Sequence, residues 1–229
     1  MYIGNYISST VNSVIAQLTG VVPENPVASL LEGPNIIIST LIVGIIGPII
    51  EELIFRKLLI DRLTPYGEKV AIFFPALIFG LCHGNFDQLF YAFLIGTVFS
   101  YIYIRTGKII YSTILHMFIN LFFGIFPTVV FSMIDYEELM NVVMSGALTE
   151  EYIMANIIPL TLFLIYSYGT LVFLVFGIIF FIKNFKKLHF NQGEVRFPRG
   201  SAGEVIFFNA GTILLFVLCI LLIAYSVLS

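Results

Sequence analysis

From about Ile157 to Ile182, and again from about Val205 to Leu228, this chain runs without a single charged residue. Apolar runs of that length match the roughly 20 residues an α-helix needs to cross the hydrocarbon core of a bilayer. Further stretches from about Ile36 to Leu59, Gln88 to Ile104 and Lys108 to Met133, and a shorter one from Val70 to His83, share that character. Hydrophobic residues make up 59% of the chain and charged ones 11%, at a mean hydropathy of +1.01, which rules out a soluble domain of ordinary composition. The apolar residues are continuous rather than alternating, so the backbone must satisfy its hydrogen bonds within helices and not across the strands of a barrel. The expected fold is all-α, a polytopic membrane bundle of about six transmembrane helices.

Those runs divide the chain. Residues 1–35 read as an interfacial segment. Tyr6, Ile7, Val11, Val14, Ile15 and Leu18 recur every three or four positions with Ser, Asn and Gln between them, and Pro23, Pro26 and Pro34 punctuate the loop that follows. Residues 36–133 hold four helices, the first kinked at Gly47-Pro48. An acidic outer loop, 134–156, carries Asp135, Glu137, Glu138, Glu150 and Glu151, and residues 157–229 form two helices joined by a basic loop. No basic segment followed by a short apolar core opens the sequence, so insertion is expected to rely on the spans themselves.

Orientation follows from the basic residues, because cytoplasmic loops collect Lys and Arg. With six spans and the amino terminus outside, Arg56, Lys57, Arg62, Lys69, Arg105, Lys108, Lys183, Lys186, Lys187, Arg196 and Arg199 all fall on the cytoplasmic side, and these are all 11 basic residues. Glu24, Glu32 and the carboxylates of 134–156 fall outside. A multi-pass protein of the cell membrane with both termini outside is expected. A net charge of −3 without an extended basic face offers nothing to nucleic acid.

Against this apolar background the polar intrusions stand out. An ionised side chain in lipid is costly unless it is paired or functional. Glu51 and Glu52 interrupt the first long run, His83 ends the short one, and His116 sits inside the fourth. Counted from the inner connections at 1.5 Å per residue, they lie at depths of roughly 12 to 21 Å and could meet in one site. Consecutive helical residues diverge by about 100°, so Glu51 and Glu52 are not expected to reach one spot, whereas Glu52 and Arg56 share a face as an i,i+4 ion pair. That frees Glu51 to act as a general base in a wet cavity. His116 and Asn120 share a face and could donate hydrogen bonds to a developing oxyanion, and Phe79 lies one turn before His83.

Glu51-Glu52-Leu53-Ile54-Phe55-Arg56, Phe79-Gly80-Leu81-Cys82-His83 and His116-Met117-Phe118-Ile119-Asn120 resemble the EExxxR, FxxxH and HxxxN motifs of the CPBP family. These are CAAX-prenyl-protease-like (Rce1/Abi) intramembrane endopeptidases and bacteriocin-processing proteins, and the resemblance covers about residues 36 to 125. It implies hydrolysis of a peptide bond in a membrane-associated peptide or protein. Glu51 would activate water with help from His83, His116 and Asn120 would stabilise the tetrahedral intermediate, and Glu52, Arg56 and Phe79 would support the architecture. Whether a metal takes part stays open: Glu51, His83 and His116 could supply three ligands to zinc or another divalent ion, with water in the fourth position, and a metal-free glutamate mechanism is the alternative. About 35 residues precede the helix that carries the first motif, fewer than is usual in the family. The substrate entrance is therefore expected to be built differently, or completed by a membrane partner or a second copy. The rival reading is a non-catalytic membrane scaffold, chaperone or bacteriocin-immunity protein that keeps the fold.

Overall fold

The computed structural model describes residues 2–21, 35–146, 148–195 and 201–228, and forms helices without strands among them. The proline-punctuated loop with Pro23, Pro26, Pro34, Glu24 and Glu32, and the basic residues Arg196 and Arg199, lie outside the described residues. In chain order the helices are α1 (Tyr2–Thr19), α2 (Ile36–Tyr66), α3 (Glu68–Cys82), α4 (Phe86–Thr106), α5 (Ile109–Phe131), α6 (Tyr136–Ser145), α7 (Glu150–Ala155), α8 (Ile157–Lys187), α9 (Ala202–Phe207) and α10 (Ala210–Leu228). Five of them, α2, α4, α5, α8 and α10, are long and apolar enough to cross a bilayer. The expected sixth, α3, has 15 residues, roughly 22 Å of helix, and is tolerated at that length because its neighbours enclose it: Ala71, Ile72, Pro75, Ala76, Ile78 and Phe79 are all buried.

The core is the α3–α4 hairpin with α2 and α5 packed against it. Gly84 turns the chain at φ 68°, and the Asn85 side chain accepts the Gln88 N–H at 2.9 Å to start α4. Close approach of the two helices needs glycine: a Cβ on Gly80 would stand 2.7 Å from the Leu89 carbonyl oxygen.

Helix α2 is not uniform. Its turns widen to i→i+5 hydrogen bonding at Ile42–Ile46 and again at Leu53–Ile60, leaving Glu51 and Glu52 in the ordinary helical stretch Gly47–Glu52 between them. Such wide turns are often found at functional sites. Helix α5 widens likewise at Asn120–Ile125. Gly44 in α2 lets the two widened turns touch, since a Cβ there would lie 2.6 Å from Leu121 Cδ2.

Helix α1 packs along α4, with Gly4 directly on the Tyr91 backbone. Its amphipathicity is turned inward on the polar side: Ser8 is buried, while Ile3, Tyr6 and Leu18 are exposed. The segment expected as an acidic loop is largely helical, because Asp135 caps α6 through the Glu138 N–H and Thr149 caps α7 through the Tyr152 N–H. The last expected helix, from Val205, is broken at Asn209. That side chain donates back to the Val205 carbonyl and accepts the Thr212 N–H, ending α9 and preparing α10.

The C-terminal helices attach unequally. α10 lays Leu215 and Phe216 on the Phe55–Phe79 cluster and buries Cys219 and Ile223. α8 touches the core through rings such as Phe173 on Phe118 and Phe163 on Phe131, and buries nothing else but Pro159. At the end of the hairpin nearest the basic connections, Glu68 binds Arg105 through both oxygens, at 3.0 and 2.6 Å, and accepts the Asn191 N–H and Nδ2 at 2.8 and 3.0 Å. This latch ties the loop after α8 to the start of α3. Arg56, counted above among the cytoplasmic charges, is not at the surface: it is fully buried beside Glu52 and lends no support to the expected orientation.

Candidate active site

Glu51, His83, His116 and Asn120 all line one cavity of about 1080 Å³, bounded by α1, α2, α4 and α5 and the end of α3. The two glutamates have different surroundings. Glu52 is fully buried, and its Oε1 lies 3.1 Å from the Arg56 guanidinium and 3.1 Å from His116 Nδ1. Glu51 is half-buried, with its side chain 36% exposed toward the cavity, and its Oε2 lies 3.5 Å from His116 Nε2.

Consecutive helical positions send the two carboxylates to different spots, yet one side chain is a partner to both. His116 is that partner, because an imidazole carries nitrogens on two edges and each carboxylate approaches a different one. The buried cation is enclosed by rings: the Arg56 guanidinium carbon lies 4.6 Å from the Phe79 ring centre and 5.4 Å from that of Phe99. With Nε, Nη1 and Nη2 all lacking hydrogen-bond partners, Arg56 is held mainly by the Glu52 charge and these two faces.

Phe79 joins the histidines. Its ring meets His83 edge-on at 4.9 Å and His116 at 5.6 Å, and it is buried to 2%. His83 caps α3, and its Nδ1 lies 2.7 Å from the Phe79 carbonyl. A carbonyl only accepts, so Nδ1 carries a proton, and in the neutral ring Nε2 is left as an acceptor.

Asn120 is occupied in a way the sequence does not announce. Its Nδ2 donates to the Val43 carbonyl at 2.9 Å. In the widened turn of α2, Gly47 N–H bonds the Ile42 carbonyl, and the next position, which would serve Val43, is Pro48. Proline has no N–H, so Asn120 fills the gap and fastens α5 to α2. Its second amide hydrogen and its oxygen remain.

The ligand set Glu51, His83 and His116 does not fit a metal as placed. Among the described residues no three His, Cys, Asp or Glu side chains are disposed to hold an ion, and both His116 nitrogens face carboxylates.

Two features of the cavity lay beyond sequence reasoning. One wall is the polar face of α1, with Asn5, Ser8 and Asn12. The other is Asp87, which accepts from Asn12 Nδ2 at 2.5 Å. An acid four residues after His83 in an otherwise apolar helix was the available signal.

Comparison with known proteins matches residues 33–122 to the type II CAAX prenyl endopeptidase Rce1-like family model. The chain is similar to the Bacillus subtilis protein named "Putative membrane peptidase YdiL", 36% identical over 34% of this chain and 33% of the relative. It is also similar to "Membrane-embedded CAAX protease MroQ" of Staphylococcus aureus, 36% identical over 37% of each chain. "UPF0177 protein YxdF" of Lactococcus lactis is 28% identical over 52% of this chain and 67% of the relative. The matched stretch thus spans about a third of the two peptidase relatives. No solved structure matches significantly.

Proposed function

We propose that this protein is a member of the CPBP family, to whose Rce1-like model residues 33–122 match, and that it is an intramembrane endopeptidase cleaving a membrane-associated peptide through Glu51-activated water. The observation that carries this reading is the inequality of the paired glutamates: one is buried and neutralised by Arg56, the other faces a cavity large enough for a peptide segment. The Glu51 carboxylate takes a proton from water, the oxygen attacks the scissile carbonyl, and the same carboxyl returns the proton to the leaving amine as the C–N bond breaks. His116 Nε2 orients Glu51. His83, with Nε2 free to accept, holds the second hydrogen of the water. The remaining Asn120 N–H is the donor available to the oxyanion, whereas both His116 nitrogens are engaged by carboxylates. Glu52, Arg56 and Phe79 keep these groups in place. With the basic connections in the cytoplasm, the reaction takes place near the bilayer midplane, in a cavity that extends toward the ends of α4 and α5 opposite those connections.

Membrane and secreted peptides compared between cells carrying the wild type and Glu51→Gln test the proposal. An uncut precursor should accumulate in the mutant while the protein stays inserted at the wild-type level. If no peptide differs, or if every effect follows the amount of folded protein, the scaffold reading replaces it.

A further inference from the structure

The cavity has two unlike walls. On one side Ile119, Phe123 and Phe131 of α5 are apolar; on the other, α1 presents Ser8 and Asn12 toward Asp87 of α4. The second wall is rich in acceptors. Asp87, when ionised, can only accept, so the Asn12 amide turns its nitrogen to that carboxylate and leaves its oxygen buried with no partner. The Ser8 hydroxyl is likewise buried and unpartnered, in a residue only 3% exposed. Unmet polar atoms at such depth are rare in folded proteins and call for an explanation. Among the described residues no Lys or Arg lines the cavity, while Glu51 and Asp87 both do, so its charge is uncompensated from within. Position at the second residue of α4, where the helix N-terminus favours an acid, accounts for a carboxylate at 87. It does not account for a neighbouring amide oxygen and hydroxyl with nothing to bind.

A donor-rich cation completes this wall. An ammonium offers three N–H groups and a guanidinium five, with no acceptor to clash with the carboxylate and the amide oxygen. A cavity of about 1080 Å³ stands at or above the range of roughly 300–1,000 Å³ typical of small-ligand sites, room for several residues of extended peptide beyond the charged one.

We propose that Asp87 and Asn12 form a subsite for a lysine or arginine side chain of the peptide substrate, with Ser8 bonding the adjoining peptide backbone and the α5 rings covering its apolar residues. The proposal rests on the endopeptidase reading for the word substrate, and its test does not depend on cleavage. In the Glu51→Gln protein, solubilised in uncharged detergent, the probe is a short Ala/Leu peptide with an uncharged fluorophore and a single lysine. It is compared by anisotropy with the same peptide carrying norleucine or glutamate at that position. The lysine peptide should bind about ten-fold more tightly than the norleucine one, the ordinary worth of a charge-assisted hydrogen bond. Asp87→Asn, which keeps the contact to Asn12, should bring the ratio near one, and Asp87→Lys should favour the glutamate peptide. A ratio near one in the protein that retains Asp87 overturns the subsite and needs no folding control; so does a ratio that Asp87→Asn leaves unchanged. Failure of the hydrolytic reading would show as the absence of any accumulated precursor and leave this ratio standing.

Discussion

Three carboxylate–cation pairs in this molecule share one chemistry and differ in surroundings. Glu52–Arg56 is fully buried at the centre of the core; Glu68–Arg105, which latches a loop, has side chains 9% and 23% exposed; Asp61–Lys57, one helical turn beyond the core, has 43% and 57%. The buried bond, at 3.1 Å, is the longest, while the latch and the outer pair, at 2.6 and 2.7 Å, are almost equal, so distance does not rank them. What ranks them is the cost of leaving one partner without the other. In the core, removal strands a charge among Phe79, Phe99 and His116; at the latch, it leaves a carboxylate with the Asn191 donors; at the outer pair, it leaves a group already solvated.

The largest effect should come from breaking the buried pair. Glu52→Gln leaves Arg56 buried without a counter-charge and removes a carboxylate from His116, which should cost about 3–5 kcal/mol, read as a fall in the thermal midpoint by circular dichroism in detergent. Activity and yield should fall together. Glu51→Gln, one residue away, should abolish hydrolysis with the midpoint almost unmoved. Replacing both Glu52 and Arg56 by apolar residues of similar volume should recover much of the stability. Equal loss of stability in the Glu51 and Glu52 single variants would remove the distinction between base and support.

A neutral contact sharpens the same contrast. Asn120→Ala strips the Val43 carbonyl of its donor, at a cost of about 1–3 kcal/mol. Adding Pro48→Ala returns a backbone N–H at the position α2 lacks. If Asn120 only fastens α5 to α2, the double variant should regain both midpoint and turnover; if it also serves the oxyanion, the midpoint should rise while kcat stays low. Full recovery of both would take Asn120 out of the chemistry.

How far these elements could be read from the sequence depends on the range over which each is determined. Glu52 with Arg56, Phe79 with His83 and the cap at Asn85 are set within one or two helical turns, and local helix geometry is enough to find them. The sharing of His116 by two glutamates is not, because it is fixed by how α5 meets α2 across 64 positions. The α1 pattern reveals a polar and an apolar face without saying which one meets lipid, and here the polar face turns inward to the cavity. The widened turns at Ile42–Ile46 and Asn120–Ile125 adjoin Pro48 and Pro127, which lack donors, and Gly44 lets the two meet, whereas the one at Leu53–Ile60 has no such local signal. The latch joins Glu68 to Asn191, 123 residues on, with no local signal at either end.

That latch carries a smaller effect. Arg105→Gln should cost about 1 kcal/mol or less and show first as faster proteolysis of the loop around Asn191, with turnover unchanged. Burial alone would push the Glu68 carboxyl up, but the Asn191 N–H and the Arg105 guanidinium outweigh it and hold the group below its ordinary value of 4.5. A lowered folded-state value means that the contribution is fully present above 4.5 and is lost as pH falls through the folded value. Loop protection should therefore weaken only on acidification below about pH 4.5. Loss of protection near neutrality would assign the docking to another group.

The smallest effect belongs to Asp61–Lys57, although its 2.7 Å contact is reinforced by Tyr103, whose hydroxyl donates to Asp61 Oδ1 at 2.7 Å. An exposed pair gains little over its hydrated partners and loses side-chain freedom in forming. Lys57→Met should leave both the thermal midpoint and turnover at wild-type values, at low salt as well as high. Tyr103→Phe should do slightly more, because Tyr103 is 5% exposed and packs with Ile60 and Ala71, and the lost hydroxyl faces a half-buried carboxylate. A drop for Lys57→Met as large as that for Glu52→Gln would break the ranking by surroundings and make bond length the better guide.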